Sequence, residues 1–110
     1  MVDNSAEVAA MNKKYGNLYF AANIPKETYS GMGKDNKVSG VANILVVNAN
    51  MSDDEAYKIV KAIFDNKLDL VRTHKEYINV TLENQKQNST PIAYHPGALK
   101  YFKEKNIKVN

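Results

Sequence analysis

The sequence predicts an α/β chain with a short, mostly parallel sheet flanked by helices. Three observations carry that expectation. Residues 41–47 read V-A-N-I-L-V-V, almost continuously apolar and rich in β-branched side chains. That is the pattern of a central strand covered on both faces. Shortly after it, Ser52-Asp53-Asp54-Glu55 spells a helix-opening capping box. A strand, a turn and a helix in that order make half of a β-α-β crossover, the unit of parallel sheets.

Taken from the N-terminus, Ser5 can cap a short helix that Gly16 ends, with Val8, Met11 and Tyr15 at helical spacing between them. Leu18, Tyr19, Phe20 and Ala21 form a short apolar run that suits a strand. Residues 23–37 read as a long loop, with Pro25, Gly31 and Gly33 among Lys, Asp and Asn residues. Loops of that length are often functional or disordered. Gly31-Met32-Gly33 lacks the leading strand and third glycine of a dinucleotide motif.

After the strand at 41–47, the capping box starts a helix expected to run from 53 to about 74. Ala56, Ile59, Val60, Ile63, Phe64 and Val71 share one face of it. Residues 75–90 are polar and weakly periodic, and irregular structure with one short helical turn is expected. His95-Pro96-Gly97 opens a last helix, with proline in the first turn. Ala98, Tyr101 and Phe102 can pack, and Asn106 can supply a left-handed cap.

A chain of 110 residues, 44% hydrophobic and 25% charged, fits one ordinary soluble domain with a core of moderate size. It has no cysteine, which excludes disulfides and thiolate metal sites and implies no compartment. No apolar run is long enough to span a bilayer. The stretch from Met1 to Glu7 has no basic and apolar regions of the kind that make a signal peptide. Lys100, Lys103, Lys105 and Lys108 against Glu104 account for the whole net charge of +3. Lysines there suit the end of a helix dipole, so the tail reads as a solvated helix end and nucleic acid is not the expected partner. Asn-x-Ser/Thr occurs at Asn50, Asn79 and Asn88, as chance allows in so Asn-rich a chain.

No catalytic constellation is visible. There is no G-x-S-x-G elbow, and the only histidines, His74 and His95, match no zinc spacing. His74 falls near a helix C-terminus, where the dipole favours its cation. His95 is expected to be hydrogen-bonded and structural rather than a general base. Asp53, Asp54 and Glu55 are explained by capping. The chain is expected not to be an enzyme and to need no cofactor or metal. Two residues stand as ligand candidates. Asn43 interrupts the apolar strand, where a buried amide needs a partner in the backbone or a ligand. Tyr29 lies in the long loop, where its hydroxyl can meet an anion or its ring can cover the core edge.

In order, the chain carries Lys13-Lys14-Tyr15, Tyr19, Ile24-Pro25 and Thr28-Tyr29-x-Gly31. The V-A-N-I-L-V-V run and the Ser52 cap follow, then Ala56 to Asn66, His74, Pro91, His95-Pro96-Gly97-Ala98 and Lys100 to Glu104. Over about residues 6–107 this resembles the C-terminal region of TAXI-type solute receptors of TRAP transporters. The resemblance implies a partial lobe of the periplasmic-binding-protein type II kind. Residues 6–40 would form an inter-lobe region, and 41–110 a strand with covering helices. It implies a small organic anion, glutamate- or dicarboxylate-like, held between two lobes, with Tyr29 near the crossover between them. It further implies docking on the transporter's membrane subunits and a periplasmic or other extracytoplasmic location. Such receptors are longer and begin with an export signal. A cleft needs two walls. One lobe is therefore expected to bind the anion only together with the other, and to self-associate as a homo-oligomer through uncovered strand edges. The alternative from the residues is a small basic module for a protein or nucleic acid, using the loop from Lys26 to Lys37 and the basic tail.

Overall fold

A computed structural model of the chain describes residues 2–87 and 90–109. The sequon at Asn88 and the start at Met1 lie outside them. The chain divides into two compact units, one comprising Met1–Ile44 with Ser89–Pro91 and the other Leu45–Asn88 with Ile92–Asn110.

The first unit is a helix followed by a hairpin. A 3-10 turn, Ser5–Glu7, leads into α1, Val8–Tyr15. Ser5 is not the cap: its N–H and hydroxyl both donate to Asp3 Oδ1, at 3.0 and 2.8 Å. Gly16, at φ +88°, ends α1 in a conformation that suits glycine. Asn12 then fastens α1 to the strand that follows. Its Oδ1 accepts the N–H groups of Leu18 and Tyr19 at 3.1 and 2.9 Å, and its Nδ2 donates to Tyr19 O at 2.8 Å.

Strand β1, Tyr19–Ile24, pairs with β2, Asn36–Val41, antiparallel, with Tyr19 opposite Val41 and Ile24 opposite Asn36. The expected loop of 23–37 therefore shortens to 25–35. Gly40 faces Phe20 across the ladder, and a β-carbon on Gly40 would lie 2.9 Å from the Phe20 ring. Buried Asn36 donates to Val2 O at 3.2 Å, and Ser39 N–H donates to Asn4 Oδ1 at 2.8 Å. The N-terminal segment thus covers the outer edge of β2.

The mostly parallel sheet is corrected by this hairpin. Residues 42–48 form no strand, and 41–47 are exposed, Leu45 to 70% and Val46 to 59%. A parallel partner would have to come from the chain after the next helix. That stretch is short and polar, and folds into 3-10 turns instead. Adjacent strands close a hairpin over a short loop at far smaller entropic cost.

In the second unit, α2 spans Asp53–Asp65 and opens with the expected capping box. Glu55 N–H donates to Ser52 Oγ, and Ser52 N–H donates back to Glu55 Oε2, both at 3.2 Å. The helix expected to reach 74 breaks at Asn66, whose φ and ψ of −105° and 22° leave helical values. Its side-chain amide donates to Ala62 O at 2.8 Å, a local bond that competes with helix continuation. A separate helix, α3, runs Lys67–Thr73. His74 follows it and accepts Glu76 N–H on Nδ1 at 3.3 Å, capping the next 3-10 turn. Two 3-10 turns occupy Lys75–Asn79 and Glu83–Gln87 where one was expected. Thr81 and Asn84 link them, through Asn84 N–H to Thr81 Oγ1 and Asn84 Nδ2 to Asn79 O.

Helix α4, Pro96–Glu104, supplies the core of this unit with Ala98, Tyr101 and Phe102. Phe64 stacks on Tyr101 with ring centroids 5.6 Å apart, and Tyr94 meets Phe102 edge-on at 5.4 Å. Asn106, at φ +56°, supplies the left-handed cap as expected. Ile107 N–H then closes on Phe102 O and Asn106 N–H on Lys103 O, the Schellman pattern. Among the described residues, no helix is long and apolar enough to cross a membrane.

Candidate functional site

The connection between β1 and β2 is ordered by its own side chains. Asp35 accepts Lys26 N–H at 2.8 Å on one oxygen and Asn23 Nδ2 at 3.2 Å on the other, clasping both ends of the loop. The backbone bond from Lys26, then the amide of Asn23, hold the Asp35 carboxyl below its ordinary range. Thr28 Oγ1 donates to Pro25 O at 2.6 Å, and Glu27 and Gly31 take φ of +67° and +85° to complete the turns. Tyr29 rides on this frame. It is 58% exposed, its carbonyl accepts Met32 N–H, and its hydroxyl has no partner among the described residues. Its ring covers no core.

Asn43 differs from its expectation. It is exposed and outside any strand, and its amide has no partner among the described residues. The burial that made it a candidate is therefore absent in this structure. Tyr29 precedes β2 and Asn43 follows it. The strand between them is six residues long, which at the usual rise is about 17 Å from first Cα to last.

Among the described residues, each unit carries a depression. The first, of about 650 Å³, is lined by Ala21 and Ala22 with Asn23, Asp35, Lys37 and Ser5 at its polar side. The second, of about 380 Å³, has Phe64, Leu82 and Tyr101 as floor and Lys67, Lys105 and Asp65 around it. Both are open to solvent, and neither is lined by Tyr29 or Asn43. No buried side-chain polar atom among the described residues lacks a hydrogen-bond partner.

His95 is tied into the helix ends. Its Nδ1 accepts Gly97 N–H at 3.2 Å as the N-cap of α4, and Nε2 lies 3.1 Å from Met51 O. A carbonyl only accepts, so Nε2 is the donor in that contact. Asp53 Oδ1 stands 3.9 Å from Nδ1. Among the described residues, no group of three or more His, Asp or Glu side chains is placed to hold a metal ion. The sequence reading missed the Asp35 clasp. Its signal was an Asp beside Asn36 at the end of a turn-rich stretch, where such side chains bond nearby backbone.

A family model, described as the NMT1-like family, matches residues 1–105. A comparison with curated proteins gives no match. The chain belongs to the NMT1-like family, a periplasmic-binding-protein-like, solute-binding and transport-related family of a type that is usually extracytoplasmic.

Proposed function

We propose that this member of the NMT1-like family forms one side of the solute cleft of an extracytoplasmic receptor of the TAXI type, serving a TRAP transporter. The solute is a small organic anion, glutamate- or dicarboxylate-like. The chain holds it together with a second lobe, and the closed receptor docks on membrane subunits of the transporter. The family match over residues 1–105 carries this proposal. The two depressions support the need for a second wall, because a small-molecule site buries most of its ligand and neither of them does.

Tyr29 is the residue we assign to the solute. Its hydroxyl has no partner among the described residues and its backbone is fixed by the Asp35 clasp, so it can offer one oriented hydrogen bond at little entropic cost. Asn43 belongs instead with the exposed run around it. The role we assign is binding.

The test is a chimera. Residues 1–105 replace the matching part of a full-length TAXI receptor, and glutamate, succinate and malate are titrated by calorimetry. Saturable binding of at least one anion, weakened about tenfold by Tyr29→Phe as expected for one lost hydrogen bond to a charged group, supports the proposal. A chimera that folds by circular dichroism and binds none of them overturns it.

A further inference from the structure

Tyr101 carries a polar group that the core does not use. The residue is only 2% exposed, yet its hydroxyl makes no hydrogen bond to any described residue. No fully buried polar side-chain atom among the described residues lacks a partner, so this hydroxyl must meet solvent. Tyr101 lines the depression of about 380 Å³ in the second unit, with Asp65 beside it. Burial first, then the Asp65 carboxylate, push the Tyr101 phenol up. The hydroxyl therefore stands within the field of Asp65, on the side of the depression, and stays a protonated donor.

The other polar groups of the depression favour an anion. Lys67 and Lys105 line it, and neither has a carboxylate partner among the described residues. Lys105 Nζ stands over the Tyr101 ring, 5.5 Å from its centroid. The neighbouring carboxylates are engaged elsewhere. Asp65 pairs with Lys61, Asp69 with Arg72 and Glu83 with Lys86, while Glu104 accepts the Tyr57 hydroxyl. Phe64 and Leu82 supply an apolar floor. An O–H donor without an acceptor, two ammonium groups without counter-ions and an apolar floor complement a carboxylate on an apolar body. We propose that this depression is a binding site for a small apolar carboxylate, which accepts the Tyr101 O–H beside Lys67 and Lys105 and lays its body on Phe64 and Leu82. The site lies within the second unit, does not involve Tyr29, and is independent of the receptor assignment. Its open side leaves part of the ligand in water, so a dissociation constant of about 1 mM is expected.

The probe is benzoate, titrated into the whole chain and followed by NMR through backbone amide and tyrosine ring signals. Saturable shifts of Tyr101 and of the residues around the depression are expected. Tyr101→Phe keeps the packed ring and removes only the hydroxyl, and it should weaken benzoate about tenfold, as expected for one lost hydrogen bond to a charged group. Benzyl alcohol, which has a similar body without the charge, and inorganic phosphate, which has charge without the body, should each bind about tenfold more weakly than benzoate. Folding of the variant is checked by circular dichroism. Should Tyr101→Phe fail to fold, Lys105→Gln, at an exposed position, carries the test and should weaken benzoate several-fold. No shift with tens of millimolar benzoate would overturn the proposal. Benzoate binding indifferent to both substitutions would overturn it too, as would benzyl alcohol or phosphate binding as tightly as benzoate.

Discussion

Gly97 of α4 lies directly against the backbone of Asp53 in α2. A β-carbon on Gly97 would collide with the Asp53 carbonyl oxygen, and would stand 2.8 Å from Tyr57 N and 2.9 Å from Ala56 Cβ. Two of those three obstacles are backbone atoms, which cannot rotate away. The close approach seats Tyr57 beside α4, where its ring meets Tyr101 edge-on and its hydroxyl donates to Glu104 Oε2 at 2.7 Å. Gly97→Ala is expected to destabilise the second unit by about 3 kcal/mol, the upper part of the range for overpacking. Urea unfolding followed by circular dichroism checks it, and a loss under about 0.5 kcal/mol, the scale of an ordinary surface change, would contradict the packing described.

His95 caps the same helix. His95→Ala removes the acceptor for Gly97 N–H and is expected to cost about 1 kcal/mol, while His95→Asn, whose side chain is a good N-cap, should recover most of it. Equal losses for both variants would mean that the bond to Met51 O, and not the cap, is what matters.

The Ser52–Glu55 box makes stability depend on pH. Hydrogen bonds from the Ser52 hydroxyl, then its N–H, hold the Glu55 carboxyl below its ordinary range. A carboxyl lowered in the folded state binds its proton more weakly there than in the unfolded chain. Its contribution is therefore full above the unfolded value, about pH 4, and is lost as pH falls through the folded one. Thermal melts between pH 7 and pH 2 should show an acid loss that is smaller in Glu55→Gln. Asp35 is lowered for a parallel reason, so Asp35→Asn should flatten the same limb in the first unit.

Asn12 replaces backbone pairing at the entry to β1. Asn12→Ala leaves the Leu18 and Tyr19 N–H groups and the Tyr19 carbonyl without their side-chain partner, at an expected cost of about 2 kcal/mol. Asn12→Asp keeps both acceptor bonds and should cost less. Denaturant melts of the two variants decide between them.

What was legible in the sequence was local chemistry. The Ser52–Glu55 box, the His95-Pro96 start of α4, Gly16 as a stop and the Asn106 cap all depend on residues a few positions apart, and all stand where their chemistry places them. What was not legible depends on distant partners. Asn12 carries no signal apart from the strand it serves, and Gly97 none apart from the Asp53 carbonyl. The hairpin hid because Asn36 to Gly40 is poor in strand formers, and pairing with 19–24 overrides that local preference. The run at 42–47 is the reverse case, strong local preference with no strand partner among the described residues. Of the two ligand candidates, Tyr29 keeps an accessible hydroxyl, and Asn43 lost its premise along with the strand.

The absence of a strand at 42–48 is the claim on which the corrected fold turns. Amide hydrogen exchange in dilute protein measures it. There 43–47 should exchange as fast as unstructured chain while 19–24 remain protected. Slow exchange of 43–47 in dilute, monomeric protein would mean that the run is already a paired strand, and would contradict the account.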